Sequence, residues 1–393
     1  MLLKNKNQCC GCAACADICP KGAIKMLEDV EGFYYPHIDK SKCIHCGLCE
    51  KICPTINVKA CDSILEAYAA YNQDEAIRLN SSSGGVFTNL AEVILMNDGV
   101  VYGAAFDKNF EVNHIKITKK EDLKRLRGSK YVQSKCDGIY KNVKKDLISG
   151  REVLFTGTPC QIVGLKTFLQ SEYKNLLCVD IICHGVPSRL VWRKYVEYRC
   201  NFAKSEIEQI AFRQKDEGWK QSAVKFAFTN STADCQNIHK DIFMRGFLEN
   251  LYLRSSCYEC RFKGKERKSD ITIADFWGVD WLYPEIDDDK GISAVIIHTL
   301  RGKETFDICK NKMFYKLIAL DDVVKKNQNM ISAVKYNPKR EKFFRDLYLN
   351  NSDTVEIIKK YLSRNKTRHY LRLYLNKLGV LPVLKRFLGN MRM

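Results

Sequence analysis

Between residues 64 and 183, short apolar runs alternate with segments whose apolar positions recur every three or four residues. The runs at 99–106 (GVVYGAAF), 152–155 and 176–183 (LLCVDIIC) have the length and β-branched content of buried strands, so they predict strands. Val86, Phe87, Leu90, Val93 and Ile94 share one helical face, and 160–169 carries a second helical pattern. Beyond Arg189 the alternation weakens. Residues 207–212 and 223–228 predict half-buried strands and 241–253 a helix. Strands interleaved with helices predict an α+β (mixed α/β) fold. No apolar stretch reaches eighteen residues, so no membrane-spanning helix is predicted.

The first sixty residues follow cysteine spacing instead. Cys9-x2-Cys12-x2-Cys15-x3-Cys19-Pro20 is repeated as Cys43-x2-Cys46-x2-Cys49-x3-Cys53-Pro54, the bacterial spacing for 4Fe-4S cubes. In such runs the fourth cysteine serves the other cluster. Cys9, Cys12, Cys15 and Cys53 are therefore assigned to one cube, and Cys43, Cys46, Cys49 and Cys19 to its neighbour. Zinc also uses C-x2-C pairs, but two identical runs of four ending in Cys-Pro are a poor match to a four-ligand ion. Nineteen cysteines without a secretory signal argue against a disulfide framework and predict a reducing, cytoplasmic setting. Three regions are expected: a ferredoxin-type module at 1–60, a mixed α/β region at 61–320 with a sub-boundary near 190, and a helical basic extension at 321–393.

The formal charge is +18. A cube with four thiolates carries about −2, so two or three cubes and a flavin dinucleotide would bring the total to roughly +10. The remainder is concentrated at the end of the chain, where residues 359–393 hold ten Lys or Arg and no Asp or Glu. Tyr370, Leu371, Leu373, Tyr374, Leu375 and Leu378 lie among basic residues there, a pattern open to two readings: a peripheral contact with the inner face of a membrane, or a helix packed on the protein body.

Three glycine-bearing turns are candidates for a dinucleotide cleft. Ser81, Ser82, Ser83, Gly84 and Gly85 precede a helix, a place suited to phosphate and equally to an ordinary cap. Gly128, Ser129, Lys130 and Tyr131 add a cation and a ring. Thr156, Gly157 and Thr158 link a strand to a helix, where α/β sheets bind ligands. Four further cysteines stand at turns: Cys160, Cys183, Cys257 and Cys260, either ligands of a third cube or buried apolar residues like Cys178. Cys10 has no assigned role. His184 is a candidate proton donor or a satisfied hydrogen bonder, and Asp275 and Trp277 either face a ring cofactor or close a turn. Residues 287–289 (DDD) read as a solvated turn rather than a cation site.

The segments SSSGGVFTNLAEVIL, LRGSKYVQS, VLFTGTPCQIVGLK, VDIICHGVPS, SCYECRFKGKERKSDITIADFWG and DDDKGIS together resemble the coenzyme F420 hydrogenase/dehydrogenase beta-subunit family, over roughly residues 64–320. The resemblance implies FAD, held at the glycine turns with Lys130 as cationic contact, and a third cube at Cys160, Cys183, Cys257 and Cys260. It implies an oxidoreductase in which a flavin links one-electron cubes to a two-electron carrier such as coenzyme F420 or an analogue. The implied partners are ferredoxin or another redox protein, with hetero-oligomer formation. The region after Leu320 matches nothing in that family, which leaves open ferredoxin-driven reduction in bacterial surface-polysaccharide synthesis, or a flavin-free electron adaptor. Nucleic-acid binding through Phe343, Phe344 and Tyr348 is disfavoured for want of a recognition motif.

Overall fold

The computed structural model describes residues 5–57, 66–349 and 353–363. Among these, thirteen strands form three sheets. A hairpin joins β1 (Ile24–Glu28) to β2 (Tyr34–Ile38). The main sheet uses β3 (Glu66–Asn72), β4 (Val100–Phe106), β5 (Val112–Ile117), β6 (Val153–Gly157), β7 (Leu176–Ile181), β11 (Ile271–Asp275), β12 (Ser293–Ile297) and β13 (Met313–Leu317), in the order β13-β3-β12-β11-β7-β6-β4-β5. The third sheet is β10-β9-β8, from β8 (Ile207–Gln214), β9 (Ala223–Phe228) and β10 (Ala233–Asn237).

In the main sheet β4, β6, β7 and β11 run parallel, with antiparallel strands on either side. Val153, Leu154 and Phe155 of β6 are all fully buried, because helices cover both faces. The alternation of side chains divides them: Val153 and Phe155 join one cluster with the Ile139–Ile148 and Pro159–Leu169 helices. Leu154 faces the other way, toward the Val86–Met96 and Leu300–Cys309 helices. Burying a side chain the size of Phe155 stabilises the fold by about 1.5–3 kcal/mol.

The expected mixed α/β architecture is the observed one. Residues 241–253 form a shorter helix than expected, Ile242–Leu248, because Asn250 takes a left-handed conformation (φ 59°) and turns the chain. Phe343 and Phe344, weighed as base-stacking residues, are buried with Leu347, Val355 and Ile358 in a core shared with Phe33 and Trp192, which removes them from any nucleic-acid surface. The proposed amphipathic tail beyond Ser363 lies outside the described residues. No helix among the described residues is long and apolar enough to cross a membrane.

The N-terminal module is seated on the main domain by specific contacts. Asp17, in the short Ala14–Ile18 helix, accepts hydrogen bonds from the amides of Gly138 (2.8 Å) and Tyr140 (3.0 Å), at the start of the Ile139–Ile148 helix. Arg254 is fully buried and donates to the carbonyl oxygens of Cys9 (2.7 Å) and Tyr34 (2.9 Å) and to Gln133 Oε1 (3.1 Å). Gly164 brings the Pro159–Leu169 helix against Cys12, where a Cβ would lie 3.0 Å from the Cys12 sulfur. From the far end of the chain, Arg340 pairs with Glu31 and donates to the Leu253 carbonyl oxygen.

Candidate active site and cluster-binding cysteines

Left-handed backbone at Ala13 (φ 67°) and at Gly47 (φ 72°) turns each cysteine run tightly into its short helix. The result brings Cys9, Cys12, Cys15 and Cys53 to the wall of one cavity, of about 350 Å³ including its open mouth, completed by Cys10, Ala13, Met26, Pro36, Pro54 and Thr55. A thiol set with an apolar lining suits a cube, whose potential depends on burial and on hydrogen bonds to sulfur. Burial pushes the Cys15 thiol upward, and the charges of Cys9, Cys53 and Cys49 add to it. Of the second set, Cys19 accepts a hydrogen bond from the Ala23 amide (3.2 Å), Cys46 is exposed, and burial pushes the Cys49 thiol upward, with a smaller push from Cys46. No three His, Cys, Asp or Glu side chains converge on a single-ion site among the described residues.

A second group of thiols is also drawn together. Burial pushes Cys257 up to about 12, and Cys183 and Cys260 push it in the same direction. Burial raises Cys183 and the neighbouring Cys10 raises Cys160, with Cys260 adding a smaller push to each. Cys10 lies between the two groups: the neighbouring Cys12 and Cys160 side chains hold its thiol below the usual cysteine range. Cys160 also contacts the Thr158 hydroxyl (3.1 Å), and Cys257 accepts from the Val186 amide (3.4 Å).

Thr158, Cys183, His184 and Asp275 stand at or just past the C-terminal ends of β6, β7 and β11, the side on which parallel sheets bind ligands in a crevice. The 81–85 and 128–131 turns meet, since the Ser129 amide donates to the Ser82 hydroxyl (2.7 Å). Ser81 bonds the Ile77 carbonyl oxygen and Ser83 that of Ile292, while the Gly84 amide donates to Ser293. The amides of Ser82, Ser83 and Gly85 have no bond to another described residue, which suits an anion at the start of the Val86–Met96 helix.

Other side chains are placed differently from the simplest expectation. A Cβ on Gly84 would strike the Ala70 carbonyl oxygen at 2.4 Å, so this glycine is required by packing onto β3. At Gly128 (φ 81°) a Cβ would meet nothing within 4 Å. Lys130 turns its ammonium onto the carbonyls of Arg125, Leu126 and Arg127 (2.9–3.0 Å), capping a helix end. Thr156 donates to the Tyr102 carbonyl, Gly157 packs under Gln161, and Thr158 forms a capping box with Gln161. His184 is hydrogen-bonded at both ring nitrogens, to Asn250 (2.7 Å) and Asn329 (3.1 Å), and burial lowers its pKa. Asp287 and Asp288 are ion-paired with Lys220 and Arg78, as in a structural turn.

Asp275 accepts from Arg213 Nη1 (2.8 Å) and from the Trp219 indole (3.1 Å). Arg213 also donates to the Tyr131 hydroxyl (3.3 Å) and lies over the Trp277 ring, itself stacked on Trp219 at 4.8 Å. Sequence reasoning missed Arg213. Its one signal was a cation within an otherwise regular strand pattern, IEQIAFRQ.

Family models match three consecutive segments: a 4Fe-4S dicluster domain at residues 8–57, and the N-terminal and C-terminal parts of the coenzyme F420 hydrogenase/dehydrogenase beta subunit at 67–140 and 150–323. No curated protein matches. A chain of the F420-reducing [NiFe] hydrogenase complex from Methanosarcina barkeri is similar in structure at 18% identity, with a TM-score of 0.45, covering 68% of this chain and 91% of that one. The two beta-subunit models together span most of the chain between the cysteine runs and Val323, in the order expected, and the thiol cavity falls within the dicluster segment. The chain therefore belongs to the coenzyme F420 hydrogenase/dehydrogenase beta-subunit family and carries an iron-sulfur domain of the 4Fe-4S dicluster type at its N-terminus.

Proposed function

We propose that the chain is an FAD- and iron-sulfur-dependent oxidoreductase passing electrons between 4Fe-4S cubes and a two-electron carrier, coenzyme F420 or an analogue. The observation that carries this reading is the thiol continuity through Cys10. Cys10 lines the cavity with Cys9, Cys12, Cys15 and Cys53 and neighbours Cys160 of the second group, in which Cys160 and Cys183 follow the ends of β6 and β7. The first four would hold one cube, Cys19, Cys43, Cys46 and Cys49 a second, and the Cys160 group a third. FAD would supply the conversion between paired and single electrons. The free amides at Ser82, Ser83 and Gly85 would receive its diphosphate, and Gly128 would allow the ring-side turn to approach closely. Asp275 orients Arg213 and Trp219, and the doubly bonded His184 fixes the crevice floor through Asn250 and Asn329. On the cluster side the partner would be ferredoxin or another redox subunit in a hetero-oligomer.

Iron and flavin content test the reading. At four irons per cube, anaerobically purified protein should contain about twelve irons and one FAD. Replacing both Cys257 and Cys260 by serine should remove about four irons and leave the ferredoxin-type signals in place. Unchanged iron in that variant eliminates the third cube. Wild-type protein that binds no FAD after incubation with excess would instead be an electron adaptor.

A further inference from the structure

Arg213 is buried at the meeting point of β8, the 128–131 turn and the end of β11. Its Nη1 is committed to Asp275 and Tyr131, yet Nε and Nη2 are buried without a partner among the described residues. Several other arginines leave only Nε unpartnered; Arg213 alone among the described residues leaves two nitrogens so. Buried donors without acceptors are costly, so such a pair calls for an acceptor from a bound group. Nε and Nη2 form one edge of the planar guanidinium, with two parallel N–H bonds, and this edge matches a group presenting two adjacent acceptors in a plane.

The surroundings narrow that group. Asp275 already balances the charge of Arg213, so a second full anion is not required. The neighbours are rings: Tyr131, Trp277 over Trp219, and Phe212 against Tyr131. A planar heteroaromatic edge fits such walls better than a hydrated phosphate does.

Resting on the flavin reading above, we infer that the unpartnered edge of Arg213 receives the adjacent ring-nitrogen and carbonyl acceptors of a flavin-type pyrimidinedione, which is present both in FAD and in a deazaflavin carrier. Arg213 is then the ring-recognising residue of the crevice, and Asp275 its positioning residue.

The test uses the full chain with clusters intact and compares wild type with Arg213→Lys, which keeps the charge facing Asp275 but loses the two-pronged edge. Arg213→Gln serves as a second variant. Expected for Arg213→Lys are unchanged iron content, unchanged ADP affinity, at least tenfold weaker binding of lumiflavin and FAD, and a lower reduction potential of bound FAD. If FAD binding is unchanged but half-saturation by coenzyme F420 rises at least tenfold, the same edge serves the carrier's ring. Unchanged binding of both rings overturns the inference while leaving the flavin reading intact. Loss of ADP affinity with lumiflavin affinity preserved also overturns it, by assigning Arg213 to phosphate. A wild-type chain that binds neither ring removes the inference and the flavin reading together.

Discussion

Gly164 shows how one missing methyl group lets a helix approach a cysteine side chain. Alanine in a helix interior ordinarily gains about 1 kcal/mol over glycine. Here the added Cβ would stand 2.9 Å from Cys12 Cβ and 3.1 Å from the Tyr140 hydroxyl, against two buried side chains. Overpacking of this kind costs about 1–3 kcal/mol, so crowding outweighs helix propensity. Gly164→Ala should therefore lower the thermal midpoint and reduce the iron retained by the N-terminal module, read by calorimetry and iron analysis. A variant more stable than wild type with full iron would show that Cys12 is not seated against this helix. The 4Fe-4S dicluster segment was legible in the sequence because its cysteine pattern is local, with spacings of three or four residues. Arg213 was not, since its partners Tyr131 and Asp275 lie 82 and 62 positions away.

Among elements, the Ile139–Ile148 helix begins at Gly138 without a side-chain cap of its own. Asp17 supplies the missing acceptor from another module, serving two amides at once. Helix termini leave their first amides unpaired, and a buried end without a partner is costly. Asp17→Ala should thus destabilise the chain by about 1–3 kcal/mol, more than an ordinary surface substitution. Denaturant unfolding measures this, and a loss below ~0.5 kcal/mol would mean that water takes over the role of the carboxylate. The strands at β4, β6, β7, β8 and β9 were readable because full or alternating burial leaves a clear imprint on sequence. The β10 strand was not, because its residues are half-buried or exposed and its pairing with β9 is set by the intervening turn.

Over the whole molecule, the helices at Arg340–Leu349 and Thr354–Tyr361 belong to the same core as the hairpin of the N-terminal module and the small sheet. Ile358 and Leu362 are buried in it, so a cut at 358 would damage the body as well as remove the basic tail. The membrane question is better asked with a chain ending at Ser363. Each Lys or Arg near an anionic leaflet contributes about 1 kcal/mol, so if the tail binds membranes only the full chain should float with anionic liposomes, and less so as salt rises. Equal flotation of the two chains would assign the basic residues another role. Net charge alone could not decide this, because the cofactors contribute their own charge.

The Arg340–Glu31 pair joins positions 309 residues apart. At about 5–20 residues per second, a ribosome would need roughly 15–60 s to make the intervening chain. The N-terminal thiols therefore emerge long before the helix that straps their module down, leaving an interval in which iron and sulfide can reach them before this contact forms.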